Sequence, residues 1–343
     1  MIIPAHLMNT NFVGTQLVIA GCTKWPELPH LTLARKLFKD NPGVWTNINA
    51  VRLAIIYRRG GLKNKKYRAK EIIKSAPASV VNPQFRIPPS FAKDFIPYEM
   101  KIDKDVRAAV MGDIHLPYHD TRAVETTLKS AKRNKCGIVI LNGDTLDFHR
   151  LSRFNKESGS RSVKDEFKAA NELLDYIDEL FPKARKIWRD GNHEDRYGLY
   201  LNAMAPEIFD MVSEKCSIAK LLKLEERGWE YVSEKRPMYL GGLTLLHGHE
   251  YPTPMIGPVN AARGLFLRTQ ASAMVNHHHQ TSEHTAPTVR GKMITTWSLG
   301  CLCGLHPTYA VFNKWNHGAA EIDLSPNGDY SVHNFRIVDG KIL

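Results

Sequence analysis

Five short clusters of Asp, Asn and His residues, arranged in order along the chain, constrain its fold most strongly. The clusters are Asp113-Ile114-His115, Asn142-Gly143-Asp144-Thr145-Leu146-Asp147, Gly191-Asn192-His193-Glu194, His247-Gly248-His249 and Asn276-His277-His278-His279. Each of the first four directly follows an apolar run. These four clusters are therefore predicted to lie at the carboxyl ends of buried strands, where open α/β sheets place their functional sites.

Between the clusters, the pattern alternates between strand and helix. We predict strands over 106–111, 137–141 and 184–188, and helices over 122–133, 164–180 and 193–202. After about residue 228 the pattern changes to strands, over 229–232, 238–240, 243–246, 273–275 and 293–299. A second sheet packed on the first, with helices outside, gives a four-layer α/β/β/α sandwich.

The clusters supply carboxylates, imidazoles and a carboxamide, but no thiolate. This donor set suits two hard-to-borderline divalent cations that share a bridging carboxylate. Two such cations stabilise both the attacking and the leaving oxygen of a phosphoryl displacement. The pattern therefore indicates metal-assisted hydrolysis of a phosphoester.

The ordered set D-x-H, G-D-x-x-D, G-N-H-E, H-G-H and x-H-x-H, over roughly residues 105–300, resembles the calcineurin-like metallophosphoesterase superfamily. The chain is most similar to phage- and prophage-type members with a short N-terminal helical segment. The resemblance implies two divalent cations, with Mn²⁺ favoured and Fe or Zn²⁺ as alternatives. It also implies attack on phosphorus by a hydroxide that bridges the two metals.

The resemblance assigns roles residue by residue. The implied metal ligands are Asp113, His115 and His279 for the first metal, Asp144 as the bridge, and Asn192, His247 and His277 for the second metal. His193 would protonate the leaving oxygen or steady the phosphate, so His193 and Asp144 are the candidate catalytic residues. Glu194 would orient a ligand.

Two ligand positions have alternatives. Asn276 stands where the family motif has Gly, and alternation along the chain favours His277 and His279 on one side with His278 on the other. His249 follows His247 by two residues and can replace it as a ligand, although His247 is the first residue after the predicted strand.

Three arginines are candidates for binding the substrate phosphate: Arg150, Arg153 and Arg196. Each follows the ligands of the second or third cluster closely, so its guanidinium group can reach a phosphate oxygen. Salt bridges with acidic residues of the predicted helix 164–180 are an equally weighted alternative. The pair Cys301 and Cys303 fits no usual metal or redox spacing, and we interpret both as buried small residues.

The positive charge is concentrated near the N-terminus. Residues 1–100 hold 15 Lys and Arg against 5 Asp and Glu, which accounts for most of the net charge of +12. We predict a basic helical module over 1–75, a proline-rich linker over 76–104 and the phosphoesterase body over 105–343. A polyanion is the expected partner of the basic module.

Helical spacing over 31–39 and from residue 47 onward, with turn residues between, outlines a helix-turn-helix-like unit. The candidate nucleic-acid contacts are Arg52, Arg58, Arg59, Lys63, Lys65, Lys66 and Arg68. The alternative is a helical appendage with a solvated charged surface.

Together these observations predict a two-metal phosphodiesterase acting on nucleic acid, with DNA favoured. The alternatives are a phosphomonoesterase, a phosphatase of small nucleotides or phosphoproteins, and a DNA-binding assembly protein that uses the fold as a scaffold. Scattered cysteines, the absence of a secretory signal pattern and the absence of a membrane-length apolar run predict a cytoplasmic protein without a membrane partner.

Overall fold

The computed structural model describes residues 10–59, 89–90, 92, 95–152, 160–233, 235–251 and 260–343. The chain forms two compact units, Met1–Ala92 and Lys93–Leu343. The predicted boundaries of module, linker and body stay predictions, with one correction. Tyr98–Met100, inside the predicted linker, is a strand paired in parallel with Met238–Leu240. A three-residue strand beside prolines is too short to show alternation in the sequence.

The described part of the first unit contains α1 (Thr10–Lys24), α2 (His30–Asp40) and α3 (Ile48–Arg58). Val18, Leu33 and Val51, one from each helix, are buried together. The sequence predicted α2 and α3 but gave no prediction for α1. The apolar residues of α1 surround the helix and form no single stripe, so the helical period is hidden.

The second unit contains the remaining helices and all of the described strands. The helices are α4 (Thr121–Arg133), α5 (Val163–Leu180), α6 (Asn192–Met204), α7 (Pro206–Val212), α8 (Ile218–Leu221) and α9 (Ala261–Thr269). The strands are β1 (Tyr98–Met100), β2 (Val106–Met111), β3 (Ile138–Asn142), β4 (Arg185–Arg189), β5 (Trp229–Val232), β6 (Met238–Leu240), β7 (Leu243–Leu245), β8 (Ala273–Val275), β9 (Ser282–Pro287), β10 (Met293–Ser298), β11 (His317–Leu324), β12 (Tyr330–Val338) and β13 (Lys341–Ile342).

Within the described residues the strands form two sheets. One has seven strands in the order β13-β12-β11-β2-β3-β4-β5, and the other has six in the order β1-β6-β7-β8-β10-β9. Strands β2 to β5 are parallel neighbours, and α4, α5 and α6 follow β2, β3 and β4 in turn. Strands β11 to β13 extend the sheet in antiparallel fashion.

The two sheets pack face to face, and helices cover their outer faces. Val110 of β2 and Met274 of β8 share the apolar core between the sheets. Leu128 of α4 and Leu141 of β3 belong to the core outside the seven-stranded sheet. Leu265 of α9 packs on the other side of β8. The predicted four-layer α/β/β/α sandwich is therefore confirmed.

The strand order brings the five clusters to one place. The first three clusters follow β2, β3 and β4, which are parallel neighbours, and the last two follow the parallel pair β7 and β8. The side-chain amide of Asn142 joins the two sheet edges, since Nδ2 donates to Leu246 O and to Asn276 Oδ1, each at 2.8 Å. Among the described helices, none combines the length and apolar character that a bilayer crossing requires.

Candidate metal centre

Five predicted metal ligands share an unusual backbone conformation. Asp113, His115, Asp144, His277 and His279 have φ angles of 50°, 52°, 51°, 66° and 56°. This left-handed region is uncommon for residues other than glycine, and each such residue costs about 1–3 kcal/mol. The packed strands on either side hold these residues in a conformation that they would not adopt freely.

Glycine is required where the loops approach each other most closely. Gly143 has φ of +87°, and a Cβ atom there would lie 2.4 Å from His247 Nδ1. This close approach lets the loop after β3 pass beneath the imidazole of the fourth cluster. The Gly in the second cluster is therefore fixed by both conformation and space.

Asp144 lies at the middle of the ligand set. Its Oδ1 atom accepts a hydrogen bond from the backbone N–H of His193 at 2.9 Å. Its Oδ2 atom lies 3.3 Å from His247 Nε2 and 3.9 Å from His115 Nε2. One carboxylate oxygen thus faces imidazoles from both predicted metal sites, which is the position that a bridging ligand needs.

The first predicted site is formed by Asp113, His115 and His279. Asp113 Oδ2 accepts a hydrogen bond from the backbone of His277 at 2.8 Å, while Oδ1 lies 3.6 Å from His279 Nε2. Asp113 Oδ1 and His115 Nε2 are buried and have no hydrogen-bond partner among the described residues. Buried polar atoms without partners are expensive, so these two atoms point to a missing positively charged group.

Two hydrogen bonds set the orientation of the imidazoles. His115 Nδ1 lies 2.9 Å from Asp147 Oδ1, and His247 Nδ1 lies 2.8 Å from the carbonyl oxygen of Asn142. Because both partners are acceptors, each Nδ1 carries a proton, and each Nε2 is the nitrogen that faces the centre. This arrangement is usual for histidines that bind metals.

The second predicted site is formed by Asn192, His247 and His277 with Asp144. Asn192 Oδ1 lies 3.3 Å from His247 Nε2. Donor atoms of Asp144, His247 and His277 all lie within 4.8 Å of one another. His249 turns elsewhere, with Nε2 3.5 Å from Asp195 on α6. The geometry therefore directs His247, rather than His249, toward Asp144.

The residues fit two divalent cations. The predicted donors are carboxylate oxygens, imidazole nitrogens and one amide oxygen, and two of them are buried without partners among the described residues. The Sγ atom of Cys303, which the sequence did not predict as a donor, also lies within 4.8 Å of the donor nitrogens of His115 and His279. Among the described residues, the groups that could hold a metal include His277 and His279 but not His278.

The electrostatics of the metal-free centre support the same interpretation. Burial opposes a charge on Asp113, but His279 and His247 outweigh it and lower the pKa of Asp113 to about 2. Burial likewise opposes protonation of His279, but Asp113 outweighs it and raises the pKa of His279 to about 10. Protonated imidazoles thus supply the positive charge that bound metals would supply, and metal binding displaces those protons.

His193 lies beside the bridge position, and its donor nitrogen is within 4.8 Å of the donor atoms of His115 and Asp144. Its Nδ1 atom lies 2.7 Å from the carbonyl oxygen of Asp147, which fixes the proton on Nδ1. Its Nε2 atom lies 2.8 Å from Arg196 Nη2 and 3.7 Å from Asp144 Oδ2. Burial lowers the pKa of His193, although Asp144 opposes the shift. The neutral ring therefore accepts a hydrogen bond from Arg196.

Glu194 supports the loop that carries the bridging carboxylate. This buried side chain accepts hydrogen bonds from the backbone N–H groups of Asp144, Leu146 and Gly191 at 2.9, 2.9 and 2.8 Å. All three hydrogen bonds are to backbone N–H groups. Glu194 therefore positions the loop that carries Asp144 and does not orient an imidazole ligand through these bonds.

The irregular residue of the fifth cluster has a structural explanation. Asn276 is fully buried, and its Oδ1 atom accepts the hydrogen bond from Asn142 that joins the sheet edges. Its side chain fills the space next to Gly112, where a Cβ atom would lie 2.9 Å from Asn276 Cγ. Asn276 therefore replaces the family glycine with a side chain that connects the second cluster to the fifth.

The three candidate phosphate-binding arginines have different positions in the structure. Arg196 is at the centre, where Nη1 donates to Asp147 O at 3.0 Å and Nη2 contacts His193. Arg150 is exposed on a short 3-10 helix, His149–Leu151, that follows the second cluster. Arg153 lies outside the described residues.

The candidate nucleic-acid contacts also differ in their positions and in their exposure. Arg52 is exposed on α3, and Arg58 is partly buried. Arg59 corrects the prediction, because its guanidinium group donates to Leu28 O at 2.7 Å and to Trp25 O at 2.8 Å inside the helical unit. The remaining four, Lys63, Lys65, Lys66 and Arg68, lie outside the described residues.

Sequence reasoning did not anticipate the residues that surround His279. Cys303 is buried, as predicted, but its Sγ atom lies 3.9 Å from His279 Nδ1. The ring of Trp315 lies edge-on to His279 at 4.1 Å between centroids. Both residues come after β10, and the parallel pairing of β10 with β8 brings this part of the chain close to His279, which follows β8. That pairing cannot be read from the spacing of residues.

The fold and the site define a metal-dependent phosphoric ester hydrolase. The sequence profile of the calcineurin-like phosphoesterase family matches residues 106–290, which is more than half of the 343-residue chain. The chain therefore belongs to the calcineurin-like phosphoesterase family, whose members depend on two metal ions. No curated protein matches the chain in sequence.

Three solved structures are similar to the chain over most of their length. Vacuolar Protein Sorting 29 from Cryptosporidium parvum is 14% identical, with a TM-score of 0.38, over 70% of this chain and 96% of that one. Vps29 from Chaetomium thermophilum is 11% identical, with a TM-score of 0.34, over 69% and 95%. A dimetal phosphatase from Danio rerio is 10% identical, with a TM-score of 0.33, over 68% and 96%.

Proposed function

We propose that this phosphoesterase hydrolyses the phosphodiester bonds of nucleic acid, with DNA as the favoured substrate. The observation that carries the proposal is the division of charge. The first 100 residues hold 15 basic against 5 acidic residues, whereas the rest of the chain is close to neutral. A basic unit attached to a phosphoesterase body is suited to hold a long polyanion near the metal centre.

The residues of the centre have distinct proposed tasks in hydrolysis. Two bound cations, for which we propose Mn²⁺, would polarise the phosphoryl oxygens and lower the pKa of a water molecule. Arg196 directs a guanidinium group to the same place and can donate to a phosphoryl oxygen. The Nδ1–H of His193 donates to the carbonyl oxygen of Asp147, so Nε2 is the nitrogen that faces the centre. We propose that Nε2 first takes up a proton from solvent, and that the resulting imidazolium donates this proton to the leaving oxygen.

The proposed nucleic-acid surface is on the helical unit. Arg52 on α3 and Arg35, Lys36 and Lys39 on α2 are exposed. Tyr57 of α3, with 52% of its surface exposed, adds an aromatic group to the exposed side chains of this unit. We propose a helix-turn-helix-like use of α3, as in the phage- and prophage-type members that the sequence resembles. Arg59 is left out of this surface because it holds the unit together.

The location proposed for this activity is the cytoplasm. All five cysteines are free thiols in the structure. Free, mostly buried thiols are typical of proteins in a reducing compartment, where nucleic acid is also found.

Cleavage assays test the proposed substrate. The purified full chain with Mn²⁺ is expected to cleave single- or double-stranded DNA, and a chelator is expected to stop the reaction. The same preparation is assayed on RNA and on a phosphomonoester. Hydrolysis of the phosphomonoester without cleavage of any DNA or RNA would overturn the nuclease proposal and leave a phosphomonoesterase.

Binding assays test the basic surface separately. Arg52→Ala in the full chain is expected to weaken DNA binding and to reduce the slope of log affinity against log salt by about 1. Lys168→Ala on α5, where the side chain is 77% exposed, is the matched control in the second unit. Equal losses in the two variants, or none in either, would contradict a binding surface on α3.

A further inference from the structure

A cleft of about 480 Å³ opens beside the metal centre. His115 and Asp147, which belong to the centre, line this cleft. The aromatic side chains of Tyr118, Tyr309 and Trp315 line it as well. The volume lies in the range of sites for small molecules and is too small for a double helix.

The loop that carries Tyr309 is held in place by its own hydrogen bonds. Asn313 Nδ2 donates to Leu305 O and to Ala310 O, each at 2.6 Å. Gly304 N donates to Tyr118 O at 2.9 Å, which joins the two walls of the cleft. The aromatic wall is therefore formed before a ligand arrives, and binding does not need to order it.

The exposure of the aromatic side chains is unusual for so fixed a loop. Tyr309 is 66% exposed and Tyr118 is 42% exposed. Tyr309 lines the same cleft as Asp147 and His115 of the centre. A flat, exposed ring near a phosphoesterase centre is suited to stack on a flat ring of the substrate.

The cleft also offers polar atoms for recognition. His119 Nδ1 and His149 Nε2 are buried atoms of cleft-lining residues, and neither has a hydrogen-bond partner among the described residues. Ligand sites typically combine an apolar wall with a few such polar groups. Imidazole nitrogens can donate to or accept from the edge of a nucleobase.

We propose that this cleft binds one nucleoside of the substrate, next to the scissile phosphate, with its base stacked on Tyr309. The inference rests on the proposed action on nucleic acid and narrows it. Only an unpaired or terminal nucleotide can enter a cleft of this size. The enzyme therefore acts on single strands and strand ends rather than within a duplex.

Two chromogenic diesters with the same leaving group test the cleft. Thymidine 5′-(4-nitrophenyl phosphate) carries a nucleoside on the remaining ester oxygen, whereas methyl 4-nitrophenyl phosphate carries only a methyl group. The full chain is expected to have a kcat/KM at least about tenfold higher for the nucleoside ester, the effect of one stacking contact. Equal values for the two substrates would overturn the proposal.

Variants of the loop assign the preference to Tyr309. Tyr309→Ala is expected to raise KM for the thymidine ester about tenfold more than KM for the methyl ester, while Tyr309→Phe retains the preference. Phe312→Ala is the matched control, because Phe312 is fully exposed on the same loop but does not line the cleft. A loss of preference in Phe312→Ala equal to that in Tyr309→Ala would contradict a stacking role for Tyr309.

The two proposals can fail independently. If DNA and RNA are not cleaved but the thymidine ester is preferred through Tyr309, the cleft proposal stands and the polymer substrate is wrong. If DNA is cleaved but internal sites of a closed circular duplex are cut as fast as a single strand, the nuclease proposal stands and the cleft proposal is overturned.

Discussion

Asp147 holds His115 through a hydrogen bond of 2.9 Å between its Oδ1 atom and the imidazole Nδ1. The contact fixes the proton on Nδ1 and leaves the buried Nε2 atom of His115 without a partner among the described residues. Asp147 therefore orients an imidazole that would hold a metal ion, although Asp147 itself is outside the predicted ligand set. The carbonyl oxygen of Asp147 also receives His193 and Arg196, so one residue organises both a ligand and the substrate side of the centre.

Removal of this carboxylate should weaken metal binding. In Asp147→Ala the ring of His115 loses its acceptor, and we expect the affinity for Mn²⁺ to fall about 10–100-fold. Isothermal titration calorimetry of the metal-free chain with Mn²⁺ measures the change in affinity. Asp175→Ala, at a carboxylate 68% exposed on α5, is the control. An unchanged dissociation constant in Asp147→Ala would show that the tautomer of His115 is set by other contacts.

Replacement of the bridging carboxylate should remove catalysis while the fold remains. Asp144→Asn retains an oxygen that can accept from the backbone of His193 but lacks the negative charge that faces His247 and His115. We expect turnover to fall at least about a thousandfold and the bound metal to fall below two ions per chain. Metal analysis by mass spectrometry is combined with turnover and circular dichroism. Two retained ions with full activity would contradict a bridging role.

Glu166 on α5 should make the stability of the body depend on pH. This buried carboxyl accepts a hydrogen bond from Phe148 N at 2.6 Å. Burial raises its pKa from 4.5 to about 8, with Asp147 adding to the shift and Arg196 opposing it. The folded state holds the proton more tightly than the unfolded state. The stabilisation is therefore complete below pH 4.5 and is lost as the pH rises to about 8.

Glu166→Gln isolates this effect because the amide oxygen can still accept from Phe148. The variant should have nearly the stability of the parent chain at pH 5 and should exceed it by roughly 2–4 kcal/mol at pH 8.5. Urea unfolding of the metal-free chains at the two pH values measures the difference. If the difference in unfolding free energy between the variant and the parent chain does not change with pH, Glu166 ionises normally in the folded chain.

In the helical unit, we expect substitution of Arg59 to reduce stability and substitution of Arg52 to leave stability nearly unchanged. Arg59 donates to two backbone carbonyls, so Arg59→Ala should destabilise the unit by roughly 1.5–3 kcal/mol. Arg52 is exposed, so Arg52→Ala should change the unfolding free energy by less than about 0.5 kcal/mol. Hydrogen exchange of amides in α1 to α3 reports on this unit directly. Equal protection in Arg59→Ala and the parent chain would rule out the structural role.

The sequence alone predicted the parts of the molecule that depend on local pattern. Apolar runs mark β2, β3 and β4, and the ligand clusters follow those runs, so the α/β/β/α layers and the place of the ligands at strand ends could both be inferred. The helix α1 was not predicted because its apolar residues surround the helix, and β1 was not because it has three residues.

The parts that could not be predicted depend on partners far away in the chain. Cys303 and Trp315 reach His279 only because β10 lies beside β8. Asn276 seemed irregular in its motif until its contact with Asn142, 134 residues away, was seen. Arg59 seemed to be a surface cation until the carbonyls of Trp25 and Leu28 accounted for it. Spacing identifies candidate residues, whereas tertiary packing decides what each one contacts.

The hydrogen bond from His277 N to Asp113 Oδ2 joins residues 164 positions apart. During synthesis the chain emerges from the ribosome with its N-terminus first, so Asp113 and His115 are present long before His277 and His279. A nascent chain that ends before residue 277 lacks two of the seven predicted ligands, one from each predicted site. We therefore expect the centre to take up two ions only late in synthesis, while β9 to β13 still have to be added to the two sheets.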